Sequence, residues 1–278
     1  MHLRRTRLLA TLAAGTLLLA ACGATDHDMS AMPGMSGTSD MPGMSGMAHG
    51  DGLSSTSDGY TLSLLSTPMS GMAMPLRFTI THGGSPVTDL LREQTKLLHL
   101  YLVRDDLSGF QHLHPVLSRG GVWSVRPAAL APGSYRVYTQ LTPRGADEPV
   151  VLSTALDLGT DAGAPSDVPT GEASAGGWTV SLHGQPHNGS TLTMSIERDG
   201  RPFAGLQPYL DTYAHVSAFR EGDLAFSHLH PTEAVTSRPG GPDLDFMVEV
   251  PEPGTYRLFV QFRADGTLHT VPVTTTVD

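Results

Sequence analysis

The sequence predicts an all-β protein with two tandem β-sandwich domains, Ig-like or cupredoxin-like, behind a disordered methionine-rich tether. Three observations lead to this prediction. From Tyr60 onward, short alternating runs are broken by glycine and proline, and no apolar stripe with a 3.6-residue period is present. About seven such runs fall in each stretch of roughly 100 residues, which is typical of a β-sandwich. Finally, several motifs occur twice along the chain.

Residues 1–21 are predicted to be a lipoprotein signal peptide. Three arginines among the first seven residues precede an apolar run over 8–21, which is too short to span a bilayer as a mature helix. The segment Leu19-Ala20-Ala21-Cys22 resembles the lipobox of bacterial lipoproteins. Cleavage before Cys22 would make its sulfur the lipidation site, and two or three acyl chains anchor a protein stably. The alternative is an ordinary secretory signal with an incidental cysteine.

Charge and cysteine content exclude several classes of protein. Cys22 is the only cysteine, so there is no intramolecular disulfide and no blue-copper site of the His-His-Cys type. Loss of residues 1–21 removes three arginines and no acids, which changes the formal net charge from −10 to −13. Such a chain is poorly suited to nucleic acid but attracts cations. The expected location is the extracytoplasmic face of the cell membrane, with the bilayer holding the lipid on Cys22.

Residues 22–58 are predicted to form the disordered tether, because Gly, Ser, Ala, Asp and Pro dominate them and few apolar side chains besides methionine occur. Methionines recur there at every third position in two runs, and a third group lies in a predicted loop of the first domain. The three groups are Met29, Met32 and Met35; Met41, Met44 and Met47; and Met69, Met72 and Met74.

Thioethers are soft ligands that select Cu(I) or Ag(I) over Zn, Ca or Mg. They need no deprotonation, so they bind at acidic pH as well. Two other interpretations are an oxidant sink and flexible linker residues without a role. The regular spacing favours metal binding, because neither alternative requires it.

The predicted domains are 59–158 and 177–278, joined by a linker over 159–176 that is rich in Gly, Ala, Ser, Pro and Asp. A Pro-Gly turn before a Tyr-Arg pair occurs at 131–136 and again at 252–257, and Gln140 and Gln261 follow in the two copies. We interpret these repeats as structural. Predicted strands are 60–65, 76–81, 97–104, 110–117, 122–125, 134–141 and 150–158, then 178–183, 191–197, 214–220, 225–230, 245–250, 255–263 and 269–277.

The clearest duplication is a histidine pattern. His99 followed by His112-Leu113-His114-Pro115 returns, 116 residues later, as His215 followed by His228-Leu229-His230-Pro231. Alternate residues of a strand share a face, so each His-x-His pair projects to one side. A hairpin with His99 opposite His114 and His215 opposite His230 would bring three imidazoles together in each domain. This register is a strict requirement, because a slip of one residue would separate the rings.

Three imidazoles suit Cu or Zn with a fourth position open. Met69, Met72 or Met74 could supply that ligand in the first domain, and His187 in the second. The competing interpretation is a polar network in which the histidines only stabilise loops. The repetition of the whole triple, together with the methionine array, favours metal.

The Met-x-x-Met tether resembles the methionine-rich segments of bacterial envelope copper-resistance proteins. Residues 98–107 and the segment from His112 to Pro115 look like a domain of bacterial secreted proteins and lipoproteins that is connected with heavy metals. The resemblance covers most of residues 60–278. It implies copper or heavy-metal handling in the envelope and no known reaction.

The sequence thus predicts a lipid-anchored extracytoplasmic protein that captures, buffers or transfers copper, as Cu(I), Cu(II) or both, with zinc as the alternative ion. A membrane copper transporter or an oxidase is the candidate protein partner, and no nucleic acid is expected. The second hypothesis is a structural or interaction lipoprotein with scaffold histidines. A copper or zinc enzyme is disfavoured, because the chain has no Gly-x-Ser-x-Gly elbow, His-Glu-x-x-His motif, phosphate loop or dinucleotide fingerprint.

Overall fold

The computed structural model describes residues 52–160 and 167–278, in which all regular secondary structure is β-strand. Within these two ranges no helix is long and apolar enough to cross a membrane. The predicted signal peptide, Cys22 and the methionines from Met29 to Met47 lie outside the described residues. The strands are β1 (Thr56–Ser57), β2 (Tyr60–Ser66), β3 (Leu76–His82), β4 (Ser85–Pro86), β5 (Leu90–Leu91), β6 (His99–Arg104), β7 (Gln111–Leu113), β8 (Val116–Leu117), β9 (Val122–Val125), β10 (Ser134–Pro143), β11 (Val150–Asp157), β12 (Glu172–Ala175), β13 (Trp178–His183), β14 (Thr191–Arg198), β15 (Arg201–Pro202), β16 (Ala214–Arg220), β17 (Phe226–Pro231), β18 (Asp243–Met247), β19 (Gly254–Ala264) and β20 (Thr267–Val277).

The first domain is a sandwich of two sheets. One sheet has the strand order β1-β2-β3-β9-β8 with β4 on β3, and the other has the order β11-β10-β6-β7 with β5 on β10. Alternation along β3 places Leu76, Phe78 and Ile80 in the core, where they pack with Leu100 and Trp123. The all-β prediction is therefore confirmed.

The second domain repeats this arrangement as one continuous sheet of order β12-β13-β14-β18-β17-β16-β19-β20, with β15 on β14. Strand β17 makes it continuous, because its first residues pair with β16 and its last two, His230 and Pro231, pair with β18. The core lies inside this curved sheet and includes Val180, Val216 and Phe246. The two tandem β domains that the duplication predicts are thus present.

In both domains the chain changes its pairing partner within the His-x-His-Pro segment. The predicted strand 110–117 is divided there into β7, which pairs with β6, and β8, which pairs with β9. Pro115 lies between them, and proline has no N–H group to donate to a ladder. The repeated proline therefore lies where the chain changes partner strand, which in the first domain is also a change of sheet.

Two short strands, β1 and β12, lie within the predicted tether (22–58) and the predicted linker (159–176). Strand β1 pairs with β2, and β12 pairs with β13 across a turn at Gly176 and Gly177. Both glycines have positive φ angles, 59° and 83°, which side chains rarely adopt. Ordered sheet therefore begins by Thr56 in the first domain and by Glu172 in the second.

The two domains pack against each other through the outer faces of the sheets that contain β6 and β16. A third cluster of buried residues joins them: Tyr101, Val103, Leu107, Tyr138 and Val151 of the first domain with Phe219, Leu224, Phe226 and Phe259 of the second. The Tyr138 hydroxyl donates to the Leu224 carbonyl at 2.6 Å, and the Phe110 and Phe259 rings stack at 4.1 Å. Because each face of β6 is covered, all its residues are buried.

Candidate metal site at the domain interface

Strand pairing places the repeated histidines on the faces that the two domains share. Tyr101 lies opposite His112 in the β6–β7 pair, and Ser217 lies opposite His228 in the β16–β17 pair. This is the register that the sequence predicts. His230 differs, since it pairs with Met247 of β18 instead of lying opposite His215, because β17 has already begun to cross between sheets.

The six histidines form one cluster between the domains, whereas the sequence suggests one cluster in each. His99 of the first domain faces its equivalent, His215, with ring centroids 5.6 Å apart. The rings of His112 and His215 are closer, at 4.4 Å. The faces that carry the motif are the faces by which the domains pack, so the two triples meet. The other neighbouring ring pairs are His99–His112 at 5.2 Å, His99–His114 at 5.1 Å, His112–His114 at 4.7 Å, His215–His228 at 4.2 Å and His228–His230 at 5.0 Å.

His99, His112 and His215 offer the most compact set of donors. One nitrogen from each ring lies within 4.8 Å of the other two. His99 Nδ1 and His112 Nε2 are 3.0 Å apart. With metal–nitrogen bonds of about 2.0–2.1 Å, this separation corresponds to an angle of roughly 95° at a shared ion. The nitrogens of His99 and His112 therefore have a spacing that one transition-metal ion can bridge, and His215 offers a third nitrogen nearby.

Hydrogen bonds on the far side of two rings orient their lone pairs. His99 Nε2 is 3.2 Å from the Glu93 carbonyl oxygen, which can only accept, so Nε2 carries the proton. His112 Nδ1 donates to Gln261 Oε1 at 2.8 Å, and Gln261 Nε2 in turn donates to Thr270 Oγ1. The two nitrogens that face each other therefore both present lone pairs. Partners of this kind fix the tautomer and ring orientation of metal-binding histidines.

Several buried polar atoms around the cluster have no hydrogen-bond partner within the described residues. They are His114 Nε2, His215 Nδ1, both ring nitrogens of His228 and Gln140 Oε1. Each unsatisfied group costs about 1–3 kcal/mol, and such groups usually bind water or an ion. Their concentration in one place marks a position where water or an ion can bind.

Burial also keeps the imidazoles neutral. It lowers the pKa of His99 to about 4 and that of His114 to about 3, from a usual value of 6.5. The pKa values of His112, His215 and His228 are lowered well below that value, mainly by burial and then by repulsion from neighbouring histidines. Metal ions bind the neutral form of imidazole. At neutral pH these five imidazoles are therefore in the form that metal ions bind.

We expect the metal-free protein to lose stability as the pH falls below about 6.5. Since the pKa of His99 is about 4 in the folded state, the unfolded chain binds more protons between pH 6.5 and 4. The contribution of His99 to the free energy of unfolding is fully present above pH 6.5, its pKa in the unfolded chain. It is lost as the pH falls to about 4, the pKa in the folded protein, and amounts to about 3 kcal/mol. Urea unfolding at a series of pH values measures it, and a constant free energy of unfolding across this range would contradict the prediction.

The structure does not bring the predicted loop ligands into this cluster. Met69 and Met72 lie between β2 and β3 and are 54% and 52% exposed. A cavity of about 400 Å³ beside the histidines is lined by His99, His228 and His230, and none of the three loop methionines lines it. His187 is exposed, with Nδ1 3.3 Å from the Gln185 carbonyl oxygen.

Sequence reasoning missed the polar residues that support the histidines. Gln140 and Gln261 were interpreted as structural, although each is the strand partner of a first-position histidine, His99 or His215. The recurrence of both glutamines at equivalent positions was the available signal. Glu249, whose Oε2 lies 3.6 Å from His230 Nδ1, belongs to a segment with no repeated motif.

A family model described as "Domain of unknown function (DUF8832)" matches residues 55–154 and 173–278. No curated protein matches the sequence. Similar solved structures include a tetra-tandem repeat of a large adhesion protein (14% identity, 79% of this chain and 49% of that chain, TM-score 0.25). Others are titin A168–A169 (12% identity, 76% and 92% coverage, TM-score 0.19) and three N-terminal domains of the bacteriophage RB49 outer capsid protein Hoc (12% identity, 78% and 59% coverage, TM-score 0.21). This chain thus spans about half the length of the adhesion-protein chain.

Proposed function

Since the chain belongs to the family described as "Domain of unknown function (DUF8832)", of which it contains two copies, we propose its function from the chemistry of the domain interface. The protein is a lipid-anchored, extracytoplasmic copper-binding protein that captures, buffers or transfers copper. Its candidate partner is a membrane copper transporter or an oxidase.

One observation carries this proposal: three neutral imidazoles from two domains place nitrogen donors within 4.8 Å of one another. Imidazole suits copper and zinc. His99 and His215 are only 2% and 1% exposed, so an ion there would be held away from solvent. Catalytic metal sites keep a position open for water or substrate. Burial therefore favours binding and transfer over an enzymatic reaction.

The methionines favour copper over zinc. The predicted tether carries six methionines at a spacing of three, and thioethers select Cu(I). In this proposal the tether collects Cu(I) near the membrane, and the interface histidines hold copper in a more enclosed site. The formal net charge of −10 attracts cations to the protein.

The second candidate is a scaffold in which the same histidines join the domains. It is supported by polar contacts that cross the interface, from His112 to Gln261 and from Tyr101 to His215. In that function the histidines contribute to stability with or without metal.

Copper loading of the full chain distinguishes the two. We expect copper to remain bound through desalting, with Cu–N scattering from imidazole and Cu–S scattering from thioether in X-ray absorption. His183 is exposed and lies outside the cluster, so His183→Ala should retain as much copper as the wild type. Elution of the wild-type chain without copper would contradict the proposal and favour the scaffold.

A further inference from the structure

We propose that the cavity of about 400 Å³ beside the histidines is an entry site for hydrated divalent cations, through which Cu(II) or Zn(II) reaches His99. The inference rests on the proposed function and names the chemical form in which the metal arrives. In this site the cation keeps its water shell and is held by charge. No side chain of the cavity has to bond to the metal before it reaches His99.

The cavity joins the protein surface to the buried histidines. Asp147 is exposed and the side chain of His230 is 40% exposed, so these two lining residues lie at its rim. His99, which also lines the cavity, is 2% exposed and belongs to the three residues whose nitrogens lie within 4.8 Å of one another. An ion that crosses the cavity therefore meets a member of the proposed copper site.

The charge of the cavity suits a cation. Its lining includes the carboxylates of Glu93, Asp147 and Glu148, and no lysine or arginine lines it among the described residues. A cleft lined by charges of one sign raises the local concentration and the association rate of the opposite ion by roughly 10–1,000-fold. Asp147 and Glu148 lie in the connection between β10 and β11, over 144–149, whereas the equivalent connection of the second domain is only 265–266. The acidic wall therefore comes from a longer connection in the first domain.

Buried polar groups in the wall are an independent indication of a ligand. Gln140 is 4% exposed and His228 is 9% exposed, and both line the cavity. Gln140 Oε1 and both ring nitrogens of His228 have no hydrogen-bond partner within the described part of the chain. Gln94 Oε1, on a third lining residue, is in the same condition. Such groups usually bind ordered water, and a hydrated cation brings water molecules to them.

A neighbouring lysine opposes the carboxylates. Burial is the main cause of the lowered pKa of His99 and His114, and repulsion by Lys96 adds to it, so the ammonium group acts on both rings. The same charge repels a cation that approaches His99. Removal of the lysine charge and removal of an acid charge should therefore change the rate of metal uptake in opposite directions.

The test is stopped-flow mixing of the full chain with Cu(II), which quenches the fluorescence of nearby tyrosine. Tyr101 reports on the buried site, because its ring lies 4.5 Å from that of His112, and the phase that His112→Ala removes is the one assigned to that site. At an ionic strength of about 0.01 M, we expect Glu148→Gln to lower the association rate constant about three- to fivefold and Lys96→Gln to raise it by a similar factor. The dissociation rate constant should stay within about twofold of wild type, as for other charges at the rim of a site.

Salt and a distant acid provide the controls. Both changes should shrink below about 1.5-fold at 1 M salt, where the Debye length is about 3 Å. Glu172→Gln, at an exposed carboxylate of β12 that does not line the cavity, should leave the rate within about 1.5-fold of wild type at either ionic strength. The melting temperature of each metal-free variant shows that it is folded.

Two results would overturn the entry site and leave the proposed function standing. One is an association rate that neither Glu148→Gln nor Lys96→Gln changes, and the other is a change that persists undiminished at 1 M salt. A full chain in which Cu(II) produces no phase sensitive to His112→Ala would overturn the proposed function together with the entry site.

Discussion

Replacing His112 with alanine should lower the affinity of the interface site for Cu(II) by more than roughly 100-fold, the upper end of the loss when only a supporting partner is removed. His112 lies close to both other histidines of the site. Its Nε2 is 3.0 Å from His99 Nδ1, and its ring centroid is 4.4 Å from that of His215. Its loss leaves two of the three closest donors. Competition with a chromophoric chelator, using the full chain at neutral pH, measures the change.

Two control variants test whether His112→Ala lowers copper affinity because it removes a metal ligand. Gln261→Ala removes the acceptor of the His112 Nδ1–H bond, together with the bond from Gln261 to Thr270, and takes away no metal donor, so we expect a loss of about 10–100-fold. His183→Ala should have no effect, since the ring of that exposed residue bonds to Ser195 on the surface, away from the cluster. If His112→Ala destabilised the metal-free chain and left copper affinity unchanged, the histidines would be scaffold.

The largest effect on stability is expected for Phe226→Ala, which should cost about 3–5 kcal/mol, as for other buried aromatic residues. Phe226 is 4% exposed, and its ring lies 4.9 Å from Tyr101, 5.5 Å from Tyr138 and 5.3 Å from Phe219. Two of these neighbours belong to the other domain. The cavity would therefore weaken the contact between domains, and urea unfolding should change from one transition towards two.

The matched control is Leu268→Ala on β20, where the side chain is 40% exposed and the expected cost is within about 1 kcal/mol. Equal free energies of unfolding for the two variants would contradict the packing of the domains described above. Retention of one sharp transition in Phe226→Ala, with the full loss of stability, would show that the domains remain coupled by the remaining aromatic residues.

Much of the fold was predictable because β periodicity is local. The spacing of His99 to His112 and His114 requires one hairpin register to place the rings together, and that register is present. Residues 98–103 also carried a signal for the interface. Their nearly continuous apolar run is typical of a strand that is buried on two faces, as β6 is.

The supporting residues were less predictable. Gln261 lies 149 residues from His112, and Glu249 lies outside every repeated motif. Nothing in the local pattern of either residue indicates which ring it will approach. Met69 and Met72 were predicted as ligands from their chemistry, but the structure does not place them at the histidines. Their loop leaves both side chains more than half exposed.

By itself the sequence determined that the chain forms two copies of one β domain, and that each copy carries three imidazoles on two neighbouring extended segments. Strand spacing decides these features, since alternation and turns act over a few residues. Only the tertiary structure decided that the two triples meet in one cluster. That outcome depends on which sheet faces of the two domains pack against each other. The packing is favoured by the burial of apolar side chains from both domains, among them Tyr101, Phe226 and Phe259.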